Sequence, residues 1–328
     1  MTVVEKELCA QYGFDRVGLS RIPTGVGGLT YVAETERGKF ILKGVREDDI
    51  YFNNEPDVTE FLGARGIPVA DFIKNKDGQY VWAYEKNIYH LQRFVDGNML
   101  PYGGAPEWFM RESAETLGRI HAVLSDYPPL PVGMGESFFD FMKSERPNNL
   151  YRRSLEKAKD LGDDDIVADA EYRLSLVGRL KNVEFELNRF TRKNTHGDYK
   201  IGNLICGDNS IAAVIDWSGA CVHPICWEII RSFTYADPGC AGGQIECGRL
   251  IDYVKTYMQY SPLNGYDLKM MPYFFYHMLL ACDYYGQYFG ASDENKEDFL
   301  FQAKFATGLI RWLERNAGEL SDALCDIV

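Results

Sequence analysis

Three polar side chains near the middle of this 328-residue chain have types and spacing suited to chemistry on phosphate. Asp198 and Asn203 stand five positions apart in Thr195-His196-Gly197-Asp198-Tyr199-Lys200-Ile201-Gly202-Asn203-Leu204-Ile205, with Lys200 between them. Asp216 follows in Ala213-Val214-Ile215-Asp216-Trp217, at the end of a β-branched run. A loop that presents Asp198 and Asn203 can aim both into one cleft, and Asp216 can enter from the adjoining strand. A carboxylate with a carboxamide is a hard, oxygen-only set that suits Mg²⁺ carrying phosphate oxygens. The remaining carboxylate can accept the proton of an attacking hydroxyl. These are the parts that phosphoryl transfer needs, because its catalysis is mostly positioning and charge neutralisation.

The elements that must hold these groups are legible in chain order. The pattern predicts a short helix over residues 1–15 and a first strand at 17–22. Pro23-Thr24-Gly25-Val26-Gly27-Gly28 follows, where Gly25, Gly27 and Gly28 would let backbone N–H groups approach phosphates without a Cβ in the way. Strands at 31–35 and 39–43 flank a tight turn, the second ending in Lys43. Residues 53–65 read as a helix with Asn54 as its cap and Glu55-Pro56 in its first turn. Strands at 71–75, 80–84 and 88–95 complete an antiparallel sheet, which breaks at 93–97. Beyond it helices are predicted over 106–127, 137–151, 155–190, 243–261, 267–290 and 294–316, with the acidic stretch 160–165 as a solvated loop. This is an α+β chain: a sheet with one helix over 1–96 and a mainly helical region over 97–328, with 93–97 as the hinge.

Composition narrows the function classes. At 46% hydrophobic the chain is globular, and it has no run of 18 apolar residues, so no membrane span is expected. A net charge of −13 argues against nucleic acid and anionic membrane as partners and is compatible with a cationic or polyhydroxylated substrate. The start lacks a basic stretch followed by an apolar one, which predicts a cytoplasmic location. Eight cysteines without a Cys-x-x-Cys pair read as reduced and mostly buried, with no metal role.

His196-Gly197-Asp198-x-Lys200-x-x-Asn203 resembles the catalytic loop of the kinase superfamily. Its His-Gly-Asp form is similar to the small-molecule branch: aminoglycoside phosphotransferases, choline kinases and type II homoserine kinases. Ile215-Asp216-Trp217 is similar to the I-D-F/W segment of that branch. Glu55 with Leu62 and Gly66-Ile67-Pro68-Val69 matches its first helix, and Leu117-Gly118-Arg119-Ile120-His121 its L-G-x-L-H segment. The resemblance implies a two-lobe protein-kinase-like fold. It also implies ATP-dependent transfer of the γ-phosphoryl group to a hydroxyl of a small molecule, of the aminoglycoside, sugar or amino alcohol class. Asp198 would be the base and Lys200 would neutralise the transferring group. Asn203 and Asp216 would hold Mg²⁺, and Lys43, paired with Glu55, would order the α- and β-phosphates; Glu60 is the fallback partner. Adenine would bond to the hinge backbone at Arg93 and Val95, over an apolar floor of Ile205 and Ile215.

In one place the chain departs from that pattern. Relatives carry an Asp near position 228 that anchors the catalytic loop, and this chain has Glu228. His121 reads as a packed core residue, and Trp227, Tyr235, Tyr284 and Tyr285 as core aromatics that could also wall an acceptor pocket. The rival reading is a non-catalytic protein of the same fold with a structural or regulatory, spore-coat-like role. Against it, every polar position that catalysis would need is filled.

Overall fold

A computed structural model describes residues 2–22, 29–46, 55–293 and 295–327. The chain forms two compact units, each built from two stretches: Met1–Met99 with Asn203–Ala220, and Leu100–Gly202 with Cys221–Val328.

The first unit opens with α1 (Val3–Tyr12), whose Thr2 and Glu5 form a reciprocal capping box. Strands β1 (Val17–Arg21), β2 (Leu29–Thr35) and β3 (Gly38–Arg46) follow, then α2 (Glu55–Gly63). Four more strands come next: β4 (Phe72–Ile73), β5 (Val81–Tyr84), β6 (Asn87–Arg93) and β7 (Asn98–Met99). The main sheet is antiparallel in the order β1-β2-β3-β6-β4, with β5 also on β6. Its period of two decides what faces the core. Phe40 and Leu42 of β3, with Tyr89 and Leu91 of β6, pack on Leu8, Tyr12 and Phe14. Each wholly buried leucine here contributes roughly 1.5–3 kcal/mol. The next rung along, Lys43 opposite His90, points to the other face. So the alternation that buries the apolar side chains also turns Lys43 away from them. Strand β3 runs three residues past Lys43, which sits inside the strand rather than at its end, because Gly44, Val45 and Arg46 keep pairing with Tyr89, Ile88 and Asn87. Asn54, expected as the cap of α2, lies outside the described residues.

In the second unit α3 (Glu107–Val123), α4 (Glu136–Lys143), α5 (Arg146–Leu161) and α6 (Asp164–Val177) precede strand β8 (Arg192–Thr195). The chain then returns to the first unit as a hairpin of β9 (Leu204–Cys206) and β10 (Ile211–Val214), which forms a small sheet in the order β10-β9-β7. Back in the second unit, β11 (Cys221–Pro224) pairs with β8, and α7 (Ile225–Ala236), α8 (Pro238–Ala241) and α9 (Cys247–Met258) follow. Helices α10 (Gly265–Ala281), α11 (Tyr284–Gly290) and α12 (Lys296–Cys325) end the chain.

Several helical boundaries differ from the sequence reading. The two helices expected over 137–151 and 155–190 are α4, α5 and α6, with breaks at Ser144-Glu145 and at Gly162-Asp163. The acidic stretch is not all loop. It ends α5 at Leu161, and Asp163 caps α6 by accepting the Ile166 N–H. Asp164 and Asp165 then lie in the first turn of α6, where the helix dipole favours them. The helix expected over 267–290 breaks at Cys282-Asp283, and Asp283 caps α11 through the Gly286 N–H. The expected 294–316 helix runs to Cys325, since Leu320 and Leu324 extend its apolar stripe. No helix among the described residues is long and apolar enough to cross a membrane.

One close approach explains a glycine of the sequence motif. A Cβ on Gly118 of α3 would lie 2.7 Å from the Tyr257 carbonyl oxygen on α9. Only glycine lets these helices meet so closely, and that contact sets His121, one turn on, beside Tyr257.

Candidate active site

In the first unit, the β9–β10 hairpin presents two of the expected residues. Leu204 pairs with Val214, and the Ile215 N–H donates to the Asn203 carbonyl at 3.0 Å. Asn203 and Asp216 therefore leave the hairpin at the same end. The hairpin is held in place by the Val214 N–H, which donates to the Pro68 carbonyl at 2.8 Å. Asp216 adopts φ 65° and ψ 59°, a left-handed conformation that costs a non-glycine residue roughly 1–2 kcal/mol. Its neighbour Trp217 is buried and fixes this turn, donating its indole N–H to the Val214 carbonyl at 3.0 Å.

Lys43 reaches the same place from β3. Its Nζ is 2.5 Å from Asp216 Oδ1 and 3.6 Å from Glu55 Oε2. Glu55 is the first residue of α2 and is wholly buried. Its other oxygen, Oε1, accepts the Trp217 backbone N–H at 3.0 Å. One carboxylate thus ties α2 to the lysine and to the turn that carries Asp216. Burial would lower the Lys43 pKa, but Glu55 and then Asp216 outweigh it and hold it above the ordinary lysine value. Burial raises that of Glu55, against the pull of Lys43. Glu60 lies on the exposed side of α2.

The remaining expected residues of this unit are more scattered in role. Gly25, Gly27 and Gly28 lie outside the described residues. Arg93 ends β6 with its side chain exposed and its N–H donated to the Asp71 carbonyl at 2.8 Å. Val95, two residues on, is half-buried and outside any strand. Ile205 pairs with Met99 on one side and Ala213 on the other, and Ile205 and Ile215 are both half-buried.

In the second unit, the loop after β8 turns at Gly197, whose φ of 80° favours glycine. That turn lets His196, wholly buried, accept the Asp198 N–H on its Nδ1 at 3.2 Å. The Asp198 carboxylate then lies between two cations. Lys200 Nζ is 3.0 Å from Oδ2, and Arg231 Nη2 is 2.5 Å from Oδ1. Burial would raise the Asp198 pKa, but Arg231 and then Lys200 outweigh it and hold the carboxyl well below the ordinary carboxylate range. Lys200 is raised in turn, its burial outweighed by Asp198.

Behind this loop stands a buried relay. Glu228 of α7, wholly buried, accepts the Tyr199 N–H on Oε1 at 3.4 Å and faces His121 Nε2 through Oε2 at 2.9 Å. His121 Nδ1 meets the Tyr257 hydroxyl at 2.8 Å. His121 is thus a hydrogen-bonded core residue that steadies the carboxylate under the loop, and Glu228 ties α7 to that loop. Burial works to raise the Glu228 pKa, but the hydrogen bond from His121 and the charges of the neighbouring histidines leave it lowered.

Arg231 was not singled out in the sequence, although a signal for it was there. Trp227, Arg231 and Tyr235 recur every fourth residue, so a helix must stack them on one face. In α7 the guanidinium lies 5.3 Å from the Trp227 ring and 5.0 Å from the Tyr235 ring. Tyr284 contacts the Tyr235 hydroxyl at 3.5 Å, while Tyr285 is core, wholly buried and donating to Asp169 at 2.7 Å.

As a donor set for Mg²⁺, Asn203 and Asp216 fit by chemistry and placement: both offer oxygen, and both leave one end of one hairpin. Two protein ligands suffice for an ion that takes its other oxygens from water and phosphate. No cluster of three or more His, Cys, Asp or Glu side chains that could hold a metal occurs among the described residues.

A model of the phosphotransferase enzyme family matches residues 18–249. No curated protein matches the chain. Among solved structures, it is similar to an amicoumacin kinase in complex with AMP-PNP and Ca²⁺, at 15% identity and TM-score 0.64, over 92% of each chain. It is similar to an aminoglycoside phosphotransferase from Alicyclobacillus acidocaldarius at 13% identity and TM-score 0.63, over 98% of each chain. A microcompartment-associated aminopropanol kinase matches at 15% identity and TM-score 0.61, over 97% of this chain and 98% of that one. The chain shares their kinase-like fold, an antiparallel-sheet lobe and a mainly helical lobe.

Proposed function

We propose, from the premise that this chain belongs to the phosphotransferase enzyme family, that it moves the γ-phosphoryl group of ATP to a hydroxyl of a small molecule. The observation that carries the reading is Lys43, an ammonium between the buried Glu55 and the hairpin-end Asp216. A fixed cation beside an oxygen-ligand pair is what a metal-bound triphosphate needs. Lys43 orders the α- and β-phosphates, Glu55 holds Lys43, and Asn203 and Asp216 hold Mg²⁺, which neutralises phosphate charge when bound. Adenine meets the backbone at Arg93 and Val95 above Ile205 and Ile215. Of these two, the Arg93 N–H already serves Asp71, so Val95 is the stronger donor. Gly25, Gly27 and Gly28, which lie outside the described residues, are assigned to the phosphates from the sequence alone.

Asp198 orients the acceptor hydroxyl and takes its proton, and Lys200 draws charge from the moving phosphoryl group. Because Asp198 is held as a weak base, its main work is orientation, with proton transfer late. That suits a loose transition state in which the nucleophile needs little activation. Residues 1–96 serve the nucleotide together with the hairpin at 203–220, and the rest of 97–328 carries Asp198, Lys200 and the acceptor site. The eight free cysteines fit the reducing cytoplasm.

An ATP-consumption assay over sugars, sugar acids, amino alcohols and aminoglycosides tests this. Turnover that requires both Mg²⁺ and one acceptor is the expected result. ATP that neither binds nor turns over with any member of the panel refutes it.

A further inference from the structure

We infer that the acceptor carries an anionic group, a carboxylate or a phosphate, and that Arg231 binds it. The inference rests on the phosphotransfer reading of the same loop and names the substrate class it serves.

The argument begins with donors. A guanidinium has five N–H groups in a planar fork and no acceptor. Arg231 spends Nη2 on Asp198 at 2.5 Å, while its Nη1 is buried with no hydrogen-bond partner. A buried charged donor without a partner is costly, so it marks a place where a ligand oxygen belongs. The fork matches a carboxylate or phosphate edge in a way an ammonium does not.

Rigidity is the second point. The Trp227 and Tyr235 rings lie 5.3 and 5.0 Å from the guanidinium carbon, so the fork is held by aromatic contacts from its own helix. A held fork gives up little side-chain entropy on binding an anion.

Charge balance is the third. Among the described residues, the Asp198 carboxylate stands between two cations, Lys200 and Arg231. Lys200 has the transferring phosphoryl group to serve, which leaves Arg231 in excess. Two acidic residues later in the chain, Asp237 and Asp283, are engaged elsewhere. Asp237 holds Arg249 at 2.6 Å and caps α8. Asp283 accepts from Ser154 and caps α11. A polycation brought to this hydroxyl would meet two positive charges, whereas a hydroxy acid would meet a partner for the unspent one. The net charge of −13 is therefore a poor guide to the acceptor.

The test is calorimetric titration of the full chain saturated with Mg²⁺ and AMP-PNP. The probes are D-gluconate against D-sorbitol, D-glycerate against glycerol, and kanamycin as the polycation. At least one acid should bind about ten- to a hundred-fold more tightly than its neutral partner, the worth of one charge-assisted hydrogen-bond pair. Arg231→Gln should erase that factor, and Arg231→Lys, which keeps the charge on a different geometry, should keep part of it. The inference is overturned if no acid binds more tightly than its neutral partner. A preference that survives Arg231→Gln overturns it too, as does a loss that appears in AMP-PNP affinity instead, which would give Arg231 to the nucleotide. Mg²⁺-ATP turnover without acid preference removes the acidic acceptor and leaves phosphotransfer standing. Acid preference in a protein that binds no ATP removes phosphotransfer and leaves the anion site.

Discussion

Lys43 Nζ lies 2.5 Å from Asp216 Oδ1, across 173 positions of sequence, and the buried Glu55 completes the cluster at 3.6 Å. Removing the lysine leaves Glu55 buried without its counter-charge. Lys43→Ala should therefore weaken Mg²⁺-ATP binding and also cost about 3–5 kcal/mol of stability, the usual result of breaking a buried pair from one side. Lys43→Ala with Glu55→Gln should recover part of the stability and none of the ATP affinity. Thermal melts and ATP titration of both variants decide it. Unchanged ATP affinity in Lys43→Ala would remove the nucleotide assignment of this cluster.

The two central carboxylates should fail differently. Asp198→Asn should bind Mg²⁺-ATP almost as the parent does yet transfer about 10²–10⁴-fold more slowly, the typical worth of a positioned base. Asp216→Asn should lose Mg²⁺-dependent ATP affinity as well. Titration of ATP with and without Mg²⁺ on both variants separates them, and the opposite pattern would exchange the two roles.

Glu228 carries the loop from beneath, so its loss should act on rate rather than on nucleotide. Glu228→Gln weakens the hold on the Tyr199 N–H and on His121. A displaced loop of this kind costs about 10²-fold in turnover. Glu228→Asp keeps the charge and should restore part of it. Equal kcat in the parent and the Gln variant would show the relay to be packing alone.

His223, on β11, gives a pH signature. Burial pulls its pKa down to about 4, and its Nδ1 has no hydrogen-bond partner. Against an unfolded value near 6.5, the unfolded state binds more protons between those two points. Stability from this group is full above about pH 6.5 and falls as pH drops toward 4, by about 3 kcal/mol in all. His223→Gln should flatten that slope in denaturant midpoints measured from pH 7 to pH 4.5. An unchanged slope would assign the acid loss to other groups.

The sheet and the His196-Gly197-Asp198 loop were legible because their signals are local. Period-two alternation around Leu42 and the His-Gly-Asp spacing need no knowledge of distant neighbours. The break inside 137–190 was not, because Ser144-Glu145 and Gly162-Asp163 interrupt segments whose apolar period continues on both sides. The Lys43–Glu55 pairing came from resemblance, since nothing in either segment names the other, and the direct Lys43–Asp216 contact was not anticipated at all. Arg231 was missed because a lone basic residue in an apolar helix looks like solubility until its two ring neighbours are counted. The substitution at 228 was visible, but its meaning was not: only the contacts with Tyr199 and His121 show that the longer side chain still reaches the loop.

The hairpin that carries Asp216 belongs to the first unit but is made late. Leu100–Gly202, the 103 residues between its two stretches, must be synthesised before it exists. At the usual 5–20 residues per second that is a wait of about 5–20 s. During it β7 has no β9 to pair with, Glu55 has no Trp217 N–H to accept, and Lys43 has no Asp216. The nascent sheet therefore carries an open edge and an incompletely matched buried carboxylate through that interval. A chain stopped at residue 99 stays in that condition, because the hairpin that completes the first unit lies beyond the cut.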